Sequence, residues 1–400
     1  MASHQCVRSF STFNSSSKFP AVSTGTRYSF GKCNIEKSYK LTSSFKLREK
    51  HRRNDHLYKR FVLFKPSNWK HVPLILGLHV RNNFKSERST RDSMISSSAM
   101  MINILFKFSR PYAVIATVLS VISTSLMAVE TLSDLTPLFF IKVLQAIFGG
   151  VCMQIYVCGF NQICDLEIDK INKPYLPLAS GELTMKTAIF VTSLSAIMSL
   201  LIVYMSGSWP LFCGLFVWFV IGTAYSANLL PFLRWKRFPY TAVLYMINSR
   251  ALAIPFGYYV HIQNAIIRGG VIILSRRHLF SMAMLIVFSV VLILFKDIPD
   301  IKGDEMHGIR SLASQIGPEL MFWSCLWLLG MAYGVTIFVG ATSSSAWSKF
   351  VTTFGHIVTF LALWVRAKSV DLKSTTSISS MYLFLWKLFY VEYLLLPLVR

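Results

Sequence analysis

The sequence predicts an all-α integral membrane protein built as a bundle of about nine transmembrane helices. Apolar residues make up 53% of the 400 residues and charged residues only 15%, whereas a soluble domain usually carries about 25% charged residues. Apolar runs long enough to cross about 30 Å of hydrocarbon recur from residue 111 to the end. This composition excludes an ordinary cytosolic enzyme, a disordered chain and a disulfide scaffold.

The first 95 residues have a different composition and predict a plastid transit peptide within a disordered basic head. Residues 1–100 carry 19 basic and 5 acidic side chains and eighteen serines, and a Ser-rich, basic and acid-poor N-terminus is typical of organellar targeting. We therefore expect residues 96–400 to form one multi-spanning domain. Because no zinc, helix-turn-helix or aromatic-basic motif accompanies the basic residues, we expect no nucleic-acid partner.

Nine apolar runs have the 17–25 residues that a tilted transmembrane helix needs. They lie near residues 111–129, 137–160, 187–206, 209–230, 240–262, 279–295, 319–340, 347–365 and 380–399. With this count, the loops after even-numbered spans lie on the same face as the basic head. Those loops hold twelve Lys and Arg residues against four in the loops after odd-numbered spans. The positive-inside rule then predicts a cytosolic or stromal location for that face.

Acidic side chains are concentrated in two loops of this positive face. Residues 101–400 contain thirteen acids, and eight of them are Asp165, Glu167, Asp169, Glu182, Asp297, Asp300, Asp304 and Glu305. Carboxylates beside a bilayer are costly and tend to mark functional sites. Solvated loop charge is the alternative interpretation, but the clustering favours a site.

The spacing within each loop places the strongest candidate ligands on one helix face. The first set is spaced i, i+4, i+8 and the second i, i+3, i+7, and they are Asn161, Asp165 and Asp169, then Asp297, Asp300 and Asp304. Oxygen-only sites of this kind suit Mg²⁺, which prefers a few carboxylates together with substrate phosphates. Two facing sets therefore predict a magnesium diphosphate site.

Basic residues beside the acids are candidates for binding the phosphate oxygens of such a ligand. Lys173, Lys302 and Arg310 lie close in sequence to the two sets, and cations of this kind form strong charge-assisted hydrogen bonds with phosphate. Direct salt bridges between these bases and the acids, without a metal, are the alternative interpretation.

The two motifs together resemble the signature of the UbiA superfamily of intramembrane prenyltransferases. They read NQxxDxxxD from Asn161 and KDxxDxxGD from Lys296. The adjoining NKPYLPLASGE is similar to the plant plastid branch, which contains homogentisate phytyltransferases and flavonoid, coumarin and other phenolic prenyltransferases. The resemblance covers residues 105–400 and implies a helix bundle around a central cavity.

The resemblance also implies roles for individual residues. The first set would hold one Mg²⁺ with the donor diphosphate, and the second set would hold a second Mg²⁺. Arg110 would lie near the diphosphate, and Tyr225 and Lys236 resemble a Tyr and a Lys of the donor site. The implied catalytic residues are Asp165, Asp169, Asp297, Asp300, Lys236 and Tyr225.

The implied activity is Mg²⁺-dependent transfer of a dimethylallyl or geranyl group from its diphosphate to an aromatic carbon of a plant phenolic, at a plastid membrane. The alternative within the family is homogentisate phytyltransferase. The sequence has Tyr112, Ala113 and Ala116 where homogentisate enzymes tend toward RPHTxxG, and this departure favours another phenolic, such as a flavonoid, a coumarin or a related polyphenol.

A cation-coupled membrane transporter is the alternative from a different functional class. Transporters tend to place ionisable sites near the membrane midplane between internal repeats. Here the acids lie at the ends of spans on one face, which favours an enzyme that takes a polar donor from that side.

Arg250 is a charged residue in the middle of the fifth apolar run, in the sequence YMINSRALAIPF. An arginine inside a membrane segment is a functional-site candidate by default. The alternative is that it pairs with a polar neighbour for packing. The sequence does not decide between these roles.

Overall fold

The computed structural model describes residues 97–228, 233–266, 272 and 274–399. The predicted transit peptide and basic head at residues 1–95 lie outside the described residues. Regular structure in the described part is helical throughout, without a strand. The predicted all-α class is therefore confirmed.

Fourteen helices follow one another along the described part of the chain, with three short 3₁₀ turns between or after them. They are α1 (Ser97–Phe108), α2 (Pro111–Met127), α3 (Pro137–Cys164), α4 (Leu166–Asn172), α5 (Pro177–Ser180), α6 (Met185–Met205), α7 (Trp209–Ser226), α8 (Pro239–Arg250), α9 (Ala253–Ile266), α10 (Arg276–Met306), α11 (Leu312–Ile316), α12 (Pro318–Ala341), α13 (Ala346–Lys368) and α14 (Thr375–Leu395).

Seven of the described helices are long and apolar enough to span a membrane alone, and α1 with α2 forms an eighth candidate bent by 70°. The nine expected spans agree approximately with this result. The fifth expected span, residues 240–262, is divided between α8 and α9, neither of which reaches spanning length. The architecture is that of a multi-pass membrane protein.

The break between α8 and α9 has a local cause at Pro255. A proline ring clashes with the carbonyl four residues earlier and has no N–H for the helix ladder. α8 accordingly ends at Arg250, and the N–H groups of Ala251 and Leu252 both bond the Ile247 carbonyl, at 2.9 and 3.0 Å. Because α9 starts at Ala253, Pro255 falls in its first turn, where proline is tolerated.

Helix α10 lies at the centre of the largest apolar core. It packs against α8, α12 and α14 and also contacts α4, and more than half of its apolar stretch is buried. By contrast, large apolar side chains on α13, such as Phe350, Phe354 and Leu361, are exposed. Outward-facing apolar side chains fit contact with lipid, so α10 is an inner helix whose C-terminal half can line an internal site.

Candidate active site

The first carboxylate set consists of Asn161, Asp165 and Asp169 and lies at the junction of α3 and α4. The regular helix is interrupted at Asp165, but the i to i+4 backbone bonds continue across it. The Asp165 N–H donates to the Asn161 carbonyl at 2.9 Å, and the Asp169 N–H donates to the Asp165 carbonyl at 2.8 Å. All three side chains therefore stay on one face and line the same cavity. The Asn161 side-chain amide donates to the Asp165 carboxylate at 2.7 Å.

The second set lies on the last three turns of α10, which continues through Pro299 to Met306. One carboxylate oxygen from each of Asp297, Asp300 and Asp304 lies within 4.8 Å of the other two. Asp300 and Asp304 are 3% and 8% exposed. Three convergent, largely buried carboxylates repel one another, so this arrangement requires cations nearby.

Asn172 joins the segment of the first set to the helix of the second. Its side-chain amide donates to the Asp300 carbonyl and accepts from the Gly303 N–H, both at 2.9 Å. The next residue, Lys173, donates to both oxygens of the Asp300 carboxylate at 2.5 and 2.6 Å. These contacts between α4 and α10 hold the two carboxylate sets across one cavity.

Asp165 and Asp297 also have cationic neighbours. Lys236 Nζ lies 2.6 Å from Asp165, and Lys296 Nζ lies 2.8 Å from Asp297 and 3.4 Å from Asp300. Asp304 has no described cation within 4 Å. The site therefore alternates positive and negative groups, which suits a ligand that brings both metal ions and phosphate oxygens.

Two arginines reach the first set from strained backbone positions. Arg110 and Arg234 have φ of 54° and 61° and are the only described non-glycine residues with positive φ. Their guanidinium groups lie 3.9 Å from Asp169 and 3.7 Å from Asp165. A left-handed conformation costs a non-glycine residue about 1–2 kcal/mol, and such strain clusters at functional sites.

Burial shifts the ionisation of site residues that lie outside the spanning helices. Burial raises the pKa of the Asp169 carboxyl above its ordinary value, although Lys173 and Arg110 oppose the shift. Burial also lowers the pKa of the Lys236 ammonium, against the effect of Asp165. For Lys173, burial is the largest influence and would lower the pKa, but the carboxylates of Asp300 and Asp169 act against it, and the pKa lies above its ordinary value.

The site residues predicted from the sequence mostly line one cavity of about 110 Å³. The lining includes Arg110, Asn161, Asp165, Asp169, Lys173, Tyr225, Lys236, Asp297, Asp300 and Asp304. The exceptions are Lys302 and Arg310, whose side chains are exposed and do not belong to this lining. Their predicted role in diphosphate binding stays a prediction.

The donor atoms of this cavity fit a divalent cation of the Mg²⁺ type. The converging side chains offer hard carboxylate and amide oxygens. One buried oxygen, Asp169 Oδ2, accepts no hydrogen bond from any described group, and its nearest described cation is Arg110 at 3.9 Å. A buried carboxylate oxygen without a hydrogen bond is costly, and a bound cation would remove that cost.

Aromatic side chains form the walls of the rest of the cavity. Tyr225 stacks on Tyr245 with ring centroids 4.4 Å apart, and Tyr112 lies 5.2 Å from Trp386 and 6.2 Å from Tyr382. These rings come from four different helices, α2, α7, α8 and α14. The cavity thus has a charged part beside the carboxylates and an aromatic part next to it.

Residues that the structure places at the site and that sequence reasoning missed include Asn172, Arg234 and Lys296. Lys296 is the first residue of the second motif, and Asn172 begins NKPYLPLASGE, so their position in the motifs was an available signal. Arg234 lies two residues before Lys236, a predicted site residue, and both reach Asp165, so this proximity was its signal.

Comparison with known proteins agrees with this geometry. A model described as the UbiA prenyltransferase family matches residues 96–388. Homogentisate phytyltransferase 1, chloroplastic, of Arabidopsis thaliana is 49% identical over 78% of this chain and 77% of its own length. Naringenin 8-dimethylallyltransferase 2, chloroplastic, of Sophora flavescens is 43% identical over 80% and 77%, and coumarin 8-geranyltransferase 1, chloroplastic, of Citrus limon is 42% identical over 75% and 73%.

A match over this much of the chain, together with relatives above 40% identity, settles the family and makes the enzyme interpretation preferable to that of a transporter. The relatives are named as prenyltransferases that act on aromatic acceptors. The chain belongs to the UbiA prenyltransferase family.

Proposed function

We propose that this enzyme transfers a dimethylallyl or geranyl group from its diphosphate to an aromatic carbon of a plant phenolic such as a flavonoid or coumarin, with Mg²⁺ as cofactor. One observation carries the proposal: two carboxylate sets face a single cavity that also contains lysines, arginines and an aromatic wall. A prenyl diphosphate has the matching parts, namely an anionic head that binds metal and a hydrophobic tail.

The charged part of the cavity binds and activates the donor. Asn161, Asp165 and Asp169 would hold one Mg²⁺, and the three α10 aspartates would hold the other. Bound there, Mg²⁺ supplies charge stabilisation for the departing diphosphate. Side chains at the same place, Arg110, Lys173 and Lys236, donate hydrogen bonds to the phosphate oxygens as the bond between prenyl C1 and oxygen breaks.

The aromatic part of the cavity holds the allylic cation and the acceptor. Tyr225 and Tyr245 line this part of the cavity; aromatic rings stabilise a nearby cation, and burial within the bundle excludes water from it. The electron-rich ring carbon of the acceptor forms a bond to prenyl C1. Its ring proton then passes to a motif carboxylate or to the released diphosphate, and aromaticity is restored.

Homogentisate with phytyl diphosphate is the second candidate substrate pair. It is favoured by the 49% identity to the Arabidopsis homogentisate phytyltransferase, compared with 43% and 42% for the flavonoid and coumarin enzymes. The residues Tyr112, Ala113 and Ala116 favour the first candidate, because they depart from RPHTxxG.

A substrate panel distinguishes the two candidates. Membranes containing the full chain receive Mg²⁺, prenyl diphosphates of five to twenty carbons, and phenols that include naringenin, a coumarin and homogentisate, and products are identified by mass spectrometry. A C-prenylated flavonoid or coumarin made from dimethylallyl or geranyl diphosphate supports the first candidate. Phytyl-homogentisate supports the second, and no product from folded protein contradicts both.

We further propose that the enzyme resides in a plastid membrane with both carboxylate sets on the stromal face. The excess of Lys and Arg in the loops of that face supports this orientation, as do the relatives named chloroplastic. A fluorescent protein fused after residue 95 tests whether this segment directs import into plastids. Signal in plastids is expected, and a diffuse cytosolic signal would contradict the proposal.

A further inference from the structure

Arg250 is a buried cation of the cavity that has no acidic partner in the part of the chain that the structure describes. Five cations line the cavity: Arg110, Lys173, Lys236, Arg250 and Lys296. Four of them lie within 4 Å of an aspartate. Among the described residues, no carboxylate lies within that distance of Arg250, although its side chain is buried and the residue is only 6% exposed.

The hydrogen bonds of Arg250 go to neutral groups. Its guanidinium donates to the Thr117 hydroxyl at 3.0 Å and to the Gln154 side-chain carbonyl at 2.5 Å. Its Nε is buried and has no hydrogen-bond partner among the described groups. Trp218 and Trp386 lie 5.7 and 5.5 Å from the guanidinium carbon. These contacts fix the position of the charge without neutralising it.

The position of Arg250 relative to the donor site follows from two neighbouring helices. On α3, Gln154 precedes Asn161 by seven residues, and on α2, Thr117 follows Arg110 by seven residues. Arg110 and Asn161 bond each other at 3.2 Å. Seven residues correspond to about 10 Å along a helix. Arg250 therefore lies about two helical turns from the Arg110–Asn161 pair, in the same cavity.

That separation leaves room for one substituted aromatic ring between the donor and Arg250. A reacting carbon must come within about 3–3.5 Å of its partner, so an acceptor that reaches both the donor and Arg250 lies lengthwise between them. Trp386 lines the cavity beside Arg250, and it offers apolar aromatic contact area to a planar acceptor.

We propose that Arg250 is the anion subsite for the acceptor and binds an ionised oxygen, a carboxylate or a phenolate, on the aromatic substrate. The proposal rests on the proposed prenyl transfer and names the group that orients the second substrate. A buried unpaired charge is costly, and the acceptor's anionic oxygen removes that cost when it binds. Arg250 thereby selects acidic aromatic acceptors over neutral ones.

Steady-state kinetics of the full chain in membranes test the proposal. The acceptors are used in matched pairs: homogentisate with its methyl ester, which lacks the carboxylate, and naringenin with its 7-methyl ether, which lacks that phenolate. The pair that the wild-type enzyme turns over is then compared in R250Q, in R250K and in K142Q. Lys142 is a control cation near the other end of α3, where it bonds the Ser206 carbonyl at 2.9 Å.

We expect R250Q to raise the KM of the ionised acceptor about tenfold or more, because a hydrogen bond to a charged group contributes that much to affinity. The KM of the prenyl diphosphate should change less than about twofold, R250K should recover part of the loss, and K142Q should resemble wild type. If the homogentisate pair shows this change in KM, the bound oxygen is a carboxylate. If the naringenin pair shows it, the bound oxygen is a phenolate.

Two results would overturn the proposal. The first is an equal rise in the KM of donor and acceptor in R250Q, which indicates a packing role. The second is an equal KM for the ionised acceptor and its methylated form in the wild-type enzyme, a comparison that stands even where R250Q does not fold. Absence of turnover with every acceptor would instead contradict the proposed function itself.

Discussion

Asp165 and Asp300 each have a lysine at hydrogen-bond distance, and these two lysines come from outside the helix or turn that carries the aspartate. Lys236 Nζ lies 2.6 Å from Asp165, and Lys173 Nζ lies 2.5 Å from Asp300. Donor diphosphate with Mg²⁺ matches this arrangement, since the metal can bind the carboxylates and the phosphates can bind the lysines. The proposed chemistry therefore depends more on these two aspartates than on any other residue.

We predict that D165N and D300N each lower turnover by about 100-fold or more, the scale seen when one stabilising group of a transition state is removed. The expected cause is a weaker metal and diphosphate site, because the amide has no charge to offer. Initial rates measured at equal amounts of folded protein check this. E167Q and E305Q are matched controls, since Glu167 and Glu305 are exposed acids of the same two segments. Wild-type rates in both aspartate variants would refute the two-set site.

The lysines of the two motifs should differ in importance. Lys173 contacts Asp300 and lines the cavity, whereas Lys302 is exposed and lies outside the lining. We expect K173Q to lose about tenfold or more in rate with an increased KM for the prenyl diphosphate, because a charge-assisted contact is removed. K302Q should lose much less. A comparable loss in K302Q would place Lys302 in the bound site and support the prediction made from sequence.

At the scale of the helices, the contact between α4 and α10 decides whether the carboxylate sets face each other. Gly303 allows this contact, because a Cβ at that position would collide with the Asn172 amide. Elsewhere in a helix, alanine is more stable than glycine by about 0.5–1 kcal/mol. Here the collision would displace the Asn172 amide, break its hydrogen bonds to the Asp300 carbonyl and the Gly303 N–H, and loosen the α4–α10 contact.

We therefore predict that G303A lowers turnover by about 10- to 100-fold, the scale expected when reacting groups are misplaced by about 1 Å. G334A provides the matched control, because Gly334 lies on α12 with open space where its Cβ would be. The activity and thermal stability of the G334A variant should equal or exceed those of the wild type. Rates and melting temperatures of both variants in detergent check this prediction. An active G303A would show that the α4–α10 contact does not position the site.

Some of these elements were predictable from sequence and others were not. The long apolar runs and the i, i+4 and i, i+3 spacings predicted the spanning helices and the shared face of each set, because these are local regularities. The division of the fifth span at Ala251 was missed, although Pro255 was a signal for it. The strained backbone of Arg110 and Arg234 was not predictable, because the surrounding fold imposes it.

At the scale of the whole molecule, the sequence predicted that two acidic loops meet, and the structure brings ten of the twelve predicted site residues into one cavity lining. Local sequence patterns do not predict which side chains from distant helices complete that cavity. Arg250 illustrates this limit, since its mid-span position marked it as unusual but only the fold places it beside Thr117 and Gln154.

The most direct test of the central claim is the dependence of turnover on Mg²⁺. Membranes containing the full chain are treated with EDTA, and pyrophosphate and C-prenylated product are measured before and after Mg²⁺ is restored. We predict that both are lost on chelation, return on addition of Mg²⁺ and appear in equal amounts, while D300N yields neither. Undiminished formation of prenylated product in EDTA would contradict the metal-diphosphate site, and pyrophosphate without prenylated product would contradict transfer to the phenol.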